Sequence, residues 1–262
     1  MKKIYFISLL LTLCYNVFSF GQVIITELAD PTNDSEARYV EIYNLGDASV
    51  DLTNWTLKRY TNGSSTLSSN VVDLSPIGSL ASGAFAIIAT NGTNFQTVYG
   101  MAADIDAGSG SPADSNGDDQ IALFNASDTL VDIFGVPGED GSGTCHEFED
   151  GRAERKATVT ATNTTWTESE WIVWADSSVS GCSSHTNSPR NAPADYDPKA
   201  WVGTVTTPTL TINSPSSGAI AYTTSLDVTI TIANFSVSGD NGSGASDNSG
   251  DGYIQSIFET QG

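Results

Sequence analysis

Short runs rich in Val, Ile, Leu, Tyr and Trp alternate with polar positions along this chain, separated by Gly, Asn, Asp, Ser and Pro, and no stretch sustains a helical period. The pattern predicts strands at Val23 to Leu28, Tyr39 to Asn44, Trp55 to Tyr60, Val71 to Leu74, Ala84 to Ala89, Gln120 to Phe124 and Leu130 to Gly135. Asn33-Asp34, Gly46-Asp47, Asn62-Gly63, Asn91-Gly92 and Asn116-Gly117 mark turns, because Asn and Gly tolerate positive φ. About seven strands at this spacing predict an all-β sandwich. Val40 and Ile42 flank Glu41, and Trp55 and Leu57 share a face, so each strand is expected to bury one side.

Between Gly138 and Gly203 the texture becomes Trp-rich and loop-heavy, which predicts an extension packed on the sandwich. Thr204 to Pro208 reads as a linker, after which Thr209 to Ser214 and Leu226 to Val237 return to a strand pattern. The run Asp240 to Gly252 has too little apolar content to offset the entropy of ordering it. The expected organisation is therefore a sandwich with its extension over 22–203, a linker over 204–208, and an incomplete second β domain over 209–262, as in a fragment of a longer protein.

Lys2 and Lys3 precede an apolar run from Ile4 to about Val17, and Ser19 and Gly21 come after it as a small-residue step. This reads as a signal peptide over 1–21 and predicts a secreted, extracellular protein, the run being too short for a membrane span. Acylation at Cys14 is disfavoured because Leu13 stands where a small residue is wanted. The net charge is −21, and loss of Lys2 and Lys3 makes it more negative still. Nucleic acid is an unsuitable partner for such a chain, whereas Asp and Asn oxygens suit divalent cations. Cys145 and Cys182 remain beyond the leader, and in an oxidising compartment an even pair predicts a disulfide. Closing a loop of about 37 residues contributes roughly 3–4 kcal/mol in the chain-entropy model. Cys145-His146 and Cys182 to His185 also place both histidines beside the thiols, so zinc competes for the same sulfurs.

The pieces Val23-Ile24-Ile25-Thr26-Glu27-Leu28, Arg38-Tyr39-Val40-Glu41-Ile42-Tyr43-Asn44 and Val50-Asp51-Leu52-Thr53-Asn54-Trp55-Thr56-Leu57 resemble, in order and spacing, the opening of bacterial lamin-tail domains. Gly83 to Ala89, Asn116 to Leu123 and Val131 to Gly135 continue the resemblance, which covers about residues 22 to 136. It implies an immunoglobulin-like β-sandwich of lamin-tail type, usually an accessory module of surface or secreted proteins, and it brings no active site. The tail from Thr209 to Ile254 resembles the start of an Ig-like repeat more weakly.

Several side chains remain as candidates. Glu27 and Glu41 form a conceivable carboxylate pair, but their place in strand-rich sequence favours a structural role, accepting hydrogen bonds from backbone or Arg38. Asp114, Asn116, Asp118 and Asp119, in an acidic stretch that also holds Asp104 and Asp106, are candidate calcium ligands; without the twelve-residue loop pattern they read equally as a solvated turn. Asp240, Asn241, Asp247, Asn248 and Asp251 form a second such run. Arg152, Arg155 and Lys156 make the basic cluster, either a salt-bridged strand edge facing Glu147, Glu149 and Glu154 or an anchor for a polyanion or acidic glycan. Trp166, Trp171 and Trp174 are either core or a sugar-stacking platform. The reading that emerges is a non-enzymatic extracellular module for interaction, adhesion or tethering to a cell-surface protein or glycan. The alternatives are an accessory part of a secreted nuclease or other hydrolase, and a carbohydrate-binding module.

Overall fold

A computed structural model describes residues 23–187 and 189–201 in full, and the backbone of 209–214 and 229–233. The expected leader 1–21, the linker 204–208 and the Asp240 to Gly252 run lie outside the described residues. The chain divides into two compact units, 1–204 and 205–262. In the second, β14 (Thr209–Ser214) pairs antiparallel with β15 (Thr229–Ala233), Leu210 opposite Ile232 and Ile212 opposite Ile230.

The first unit is built of β1 (Val23–Ala29), β2 (Tyr39–Asn44), β3 (Val50–Asp51), β4 (Thr56–Tyr60), β5 (Val72–Asp73), β6 (Ser79–Leu80), β7 (Phe85–Ala89), the helix α1 (Gly92–Tyr99), β8 (Ile105–Asp106), β9 (Gln120–Phe124), β10 (Leu130–Phe134), β11 (Arg152–Arg155), β12 (Trp171–Ala175) and β13 (His185–Asn187). A seven-stranded sheet has the order β13-β12-β11-β1-β2-β7-β8, and a four-stranded sheet the order β10-β9-β4-β5. β12–β13 and β7–β8 are parallel and the other pairs antiparallel, so the topology is mixed. The fold is the expected all-β, Ig-like sandwich. Its core lies between the sheets, where Ile25, Leu28, Val40, Ile42, Ile88 and Val173 of the large sheet meet Leu57, Ile121, Leu123 and Phe134 of the small one.

Three expectations are corrected. Strands were expected to bury one side, yet every residue of β1 and β2 is buried. The large sheet is covered on its outer face too, by α1 and by the segment 191–201: Phe95 and Tyr196 pack with Ala29, Tyr39, Ile87 and Ala89, and Trp201 packs with Ile24 and Tyr43. The helix itself was read as a turn at Asn91-Gly92. Asn91 is in fact its N-cap, accepting from the Asn94 N–H at 3.0 Å, and Gly100 at φ 72° ends it. Eight residues are too few for a helical period to stand out.

The third correction concerns 138–203. Part of it, 191–201, does pack on the sandwich, but the stretch also supplies β11, β12 and β13, which extend the large sheet through β1. The alternation in β12 decides it, since Trp171, Val173 and Ala175 point into the protein while Ile172 and Trp174 are only half-buried. Close backbone approach fixes the join. A Cβ on Gly117, at φ +101°, would stand 2.2 Å from the Glu149 nitrogen, and one on Gly151 would stand 1.9 Å from the Trp174 oxygen.

Because the core, the covering segment and both cysteines fall within the first unit, a chain ended at Thr204 is expected to melt as the full-length protein does. Calorimetry checks this; a molten or aggregated product would place the C-terminal strands in the sandwich.

Candidate functional site

The two sheets are joined at one end of the β11–β1 ladder. β11 pairs with β1 only from Glu27 to Ala29, so Ile25 would lose its ladder partners on that side. Side chains replace them: the Ile25 N–H donates to Asp132 Oδ2 at 2.8 Å, and Arg155 Nε donates to the Ile25 carbonyl at 3.0 Å. Arg155 and Asp132, both wholly buried, pair with each other, and Arg155 reaches Glu170 at 2.7 Å. Its guanidinium lies 4.2 Å from the centre of the Trp171 ring. Asp132 Oδ1 accepts from the Asn163 N–H at 2.8 Å, leaving neither oxygen unused. Burial pushes the Asp132 carboxyl up to about 6, with Arg155 and the two backbone donors opposing.

Across the outer face runs a row of carboxylates, Glu154 opposite Glu27 and Glu27 opposite Glu41, one from each of β11, β1 and β2. A bulge between Ile25 and Glu27 creates the row. It shifts the alternation of β1 so that Val23, Ile25 and Leu28 face the core while Ile24, Glu27 and Ala29 face outward. Glu27 accepts from the Tyr39 hydroxyl at 2.6 Å and from Arg152 at 3.1 Å. Glu41 accepts from the Thr26 hydroxyl at 2.6 Å and from the backbone N–H of Lys199. The expected Arg38 partner is elsewhere, on Asp30 at 2.6 Å and Asp114 at 3.0 Å. Desolvation, then the charge of Glu41, raises the Glu27 carboxyl to about 8; desolvation raises that of Glu41 to about 7. The segment 191–201 lies over both, so the pair faces no open cleft.

Cys145 and Cys182 form a disulfide, with their Cα atoms 5.5 Å apart. This removes both sulfurs from zinc, and the histidines turn away: His146 Nε2 lies 3.1 Å from Glu139, and His185 Nε2 lies 2.8 Å from the Glu147 carbonyl. The acidic stretch divides between arginines. Asp114 takes Arg38 and the Gly110 N–H, Asp119 takes Arg59 at 3.0 Å, and Asp118 meets Asn62 at 3.4 Å with its other oxygen buried and unpartnered. Asn116 stands beside the Asp118 carboxyl. Among the described residues, three carboxylates gather within 4.8 Å at Glu147, Glu149 and Asp176 instead, which loop sequence alone does not disclose.

The basic cluster is neither a strand edge nor an exposed anchor. β11 is interior to the sheet, Arg155 is sealed in the core, Arg152 binds Glu27, Glu154 and Asp197, and Lys156 binds the Ser184 hydroxyl at 2.9 Å. Nor do the tryptophans form a platform for sugars. Trp171 is 1% exposed against Phe134, Trp166 packs on the core, and the Trp174 ring lies between the guanidinium groups of Arg152 and Arg190 at 4.5 and 4.7 Å.

Residues 16–138 match the family model of the Lamin Tail Domain. No curated protein matches the chain. The lamin tail domain is an Ig-like module, and no helix among the described residues is long and apolar enough to cross a membrane. The matched stretch ends before β11, yet its core draws on residues beyond that boundary, because Asp132 lies inside the match and its partner Arg155 outside.

Asp132→Ala is expected to cost about 3–5 kcal/mol, since it strands a buried guanidinium. Arg155→Met should cost less in that background than alone in urea denaturation, because no Asp132 carboxylate is then left unpaired. Simply additive losses would mean that the two side chains act independently.

Proposed function

We propose that this protein is an exported, non-catalytic interaction module that tethers or presents its neighbours at the cell exterior. The Cys145–Cys182 disulfide carries the reading, because such a bond persists in oxidising compartments. The lamin-tail match and the leader-like N-terminus support it. The internal commitment of Arg155, Arg152 and Trp171 argues against the polyanion anchor and the carbohydrate-binding alternative, since these groups already have partners. An accessory role beside a secreted hydrolase is compatible with the same module.

Expression with the native N-terminus is expected to yield protein outside the cytoplasm, beginning at Gln22 and lighter by about two mass units before reduction than after it. Uncleaved cytoplasmic protein with two free thiols would defeat the proposal. The purified protein is further expected to hydrolyse neither nucleic acids nor common polysaccharides; turnover abolished by Glu27→Ala would defeat the non-catalytic reading.

A further inference from the structure

The segment 191–201 holds the outer face of the large sheet by contacts of two kinds. At its start, Ala192 exchanges two hydrogen bonds with the Asn33 side chain, at 2.7 and 2.9 Å, independent of any charge. Its second half is held beside the carboxylate row. The Tyr196 hydroxyl donates to the Gly151 carbonyl at 2.9 Å, Asp197 meets Arg152 at 2.6 Å, the Lys199 N–H donates to Glu41, and Trp201 Nε1 donates to the Arg155 carbonyl. The Trp201 ring closes over Tyr43 at 5.1 Å.

The charges in this layer do not balance. Glu27 faces Tyr39 and Glu41 on β2, Arg152 and Glu154 on β11, Tyr99 on α1, and Tyr196 with Asp197 on the covering segment. Glu41 faces Glu154, Asp197 and the Lys199 N–H. The Lys199 ammonium is drawn to Asp104 at 3.2 Å, and Arg190 pairs with Asp195 and acts on Glu154 only through its charge. Arg152 alone touches Glu27, Glu154 and Asp197 together. Four ionised carboxylates around one guanidinium would repel one another across low-dielectric space, and Glu27 and Glu41 are the two most deeply buried.

We propose that residues 196–201 form a proton-dependent clasp, seated while Glu27 and Glu41 are protonated and released as they ionise. Release leaves the Asn33–Ala192 anchor in place and uncovers Tyr39, Tyr43 and Ile24. Linkage sets the sign. The seated form holds protons up to about pH 7–8, where burial has raised both groups, whereas an exposed glutamate gives its proton up near pH 4.5. Seating is therefore complete at acid pH and is lost as pH rises through the raised values. Each proton held only by the seated form weakens closure about tenfold per pH unit over that interval.

Trypsin reads this directly, because Lys199 lies in the clasp at φ 67°, unlike the extended backbone a protease binds. In the full-length protein, cleavage after Lys199 should accelerate about tenfold or more between about pH 6.5 and about pH 8.5, relative to a peptide of the same sequence. Glu41→Gln should lessen that rise and leave the part due to Glu27, since the amide oxygen still accepts from Lys199 without ionising. Amide exchange of wild-type β1 and β2, corrected for intrinsic rates, should stay slow while Lys199 and the Trp201 indole N–H lose protection, which decides the matter even if the variant misfolds. Cleavage or protection independent of pH would overturn the proposal, as would loss of protection in β1 together with the clasp, which is global unfolding.

Discussion

The buried pair of Arg155 and Asp132 is the contact on which the rest of the first unit depends, because it stands where a backbone ladder stops inside the protein. A buried amide and carbonyl without partners cost several kcal/mol together. Ile25 escapes that cost only because one side chain from β10 and one from β11 take the places of the missing strand. The same two side chains then order their surroundings: Asn163 and Glu170 fold onto them, Trp171 lies over the guanidinium, and Trp201 closes on the Arg155 carbonyl. A pair of this kind adds little net stability over an apolar substitute, but it admits few alternative arrangements. What it contributes is the register of β11 on β1, and with it the position of every strand beyond.

The bulge in β1 lies beside that pair and has the opposite character. By shifting the alternation, it puts Ile25 and Leu28 into the core and turns Glu27 outward, opposite Glu41 and Glu154. An exposed sheet face would carry such a row at a smaller, solvent-screened cost. Here α1 and 191–201 cover the face with aromatic side chains, so the carboxylates are desolvated by the residues that complete the fold. The core side of the large sheet is fixed by a neutralised pair, while its outer side holds unbalanced negative charge.

Much of this was legible in the sequence. Period-two alternation marked β1, β2, β4, β7, β9 and β10, and an even cysteine pair marked the disulfide, because those signals are local or simply countable. The errors share a cause. Arg152 and Arg155 read as a strand edge or an exposed anchor, and each strand as burying one side, because both readings assume that a polar residue marks a solvent face. Burial on the outer face is set by α1 and 191–201, which pack there from far along the chain, and no window of sequence contains it. The helix α1 was missed for a different reason: its caps were present at Asn91 and Gly100, but its single buried residue, Phe95, gives no period.

Cations show how the acidity and the fold are reconciled. Among the described residues, Arg38, Lys58, Arg59, Arg152, Arg155, Arg190 and Lys199 are each paired with a carboxylate, and Lys156 with a serine hydroxyl. Several of these pairs join segments far apart in the chain, Arg38 to Asp114, Arg59 to Asp119, Arg155 to Asp132 and Lys199 to Asp104. In a protein of net charge −21 the few positive groups thus serve as internal cross-links, and the excess charge falls on the remaining carboxylates. A surface of that kind repels phosphate backbones and acidic glycans at long range, and it draws cationic segments and divalent ions toward it.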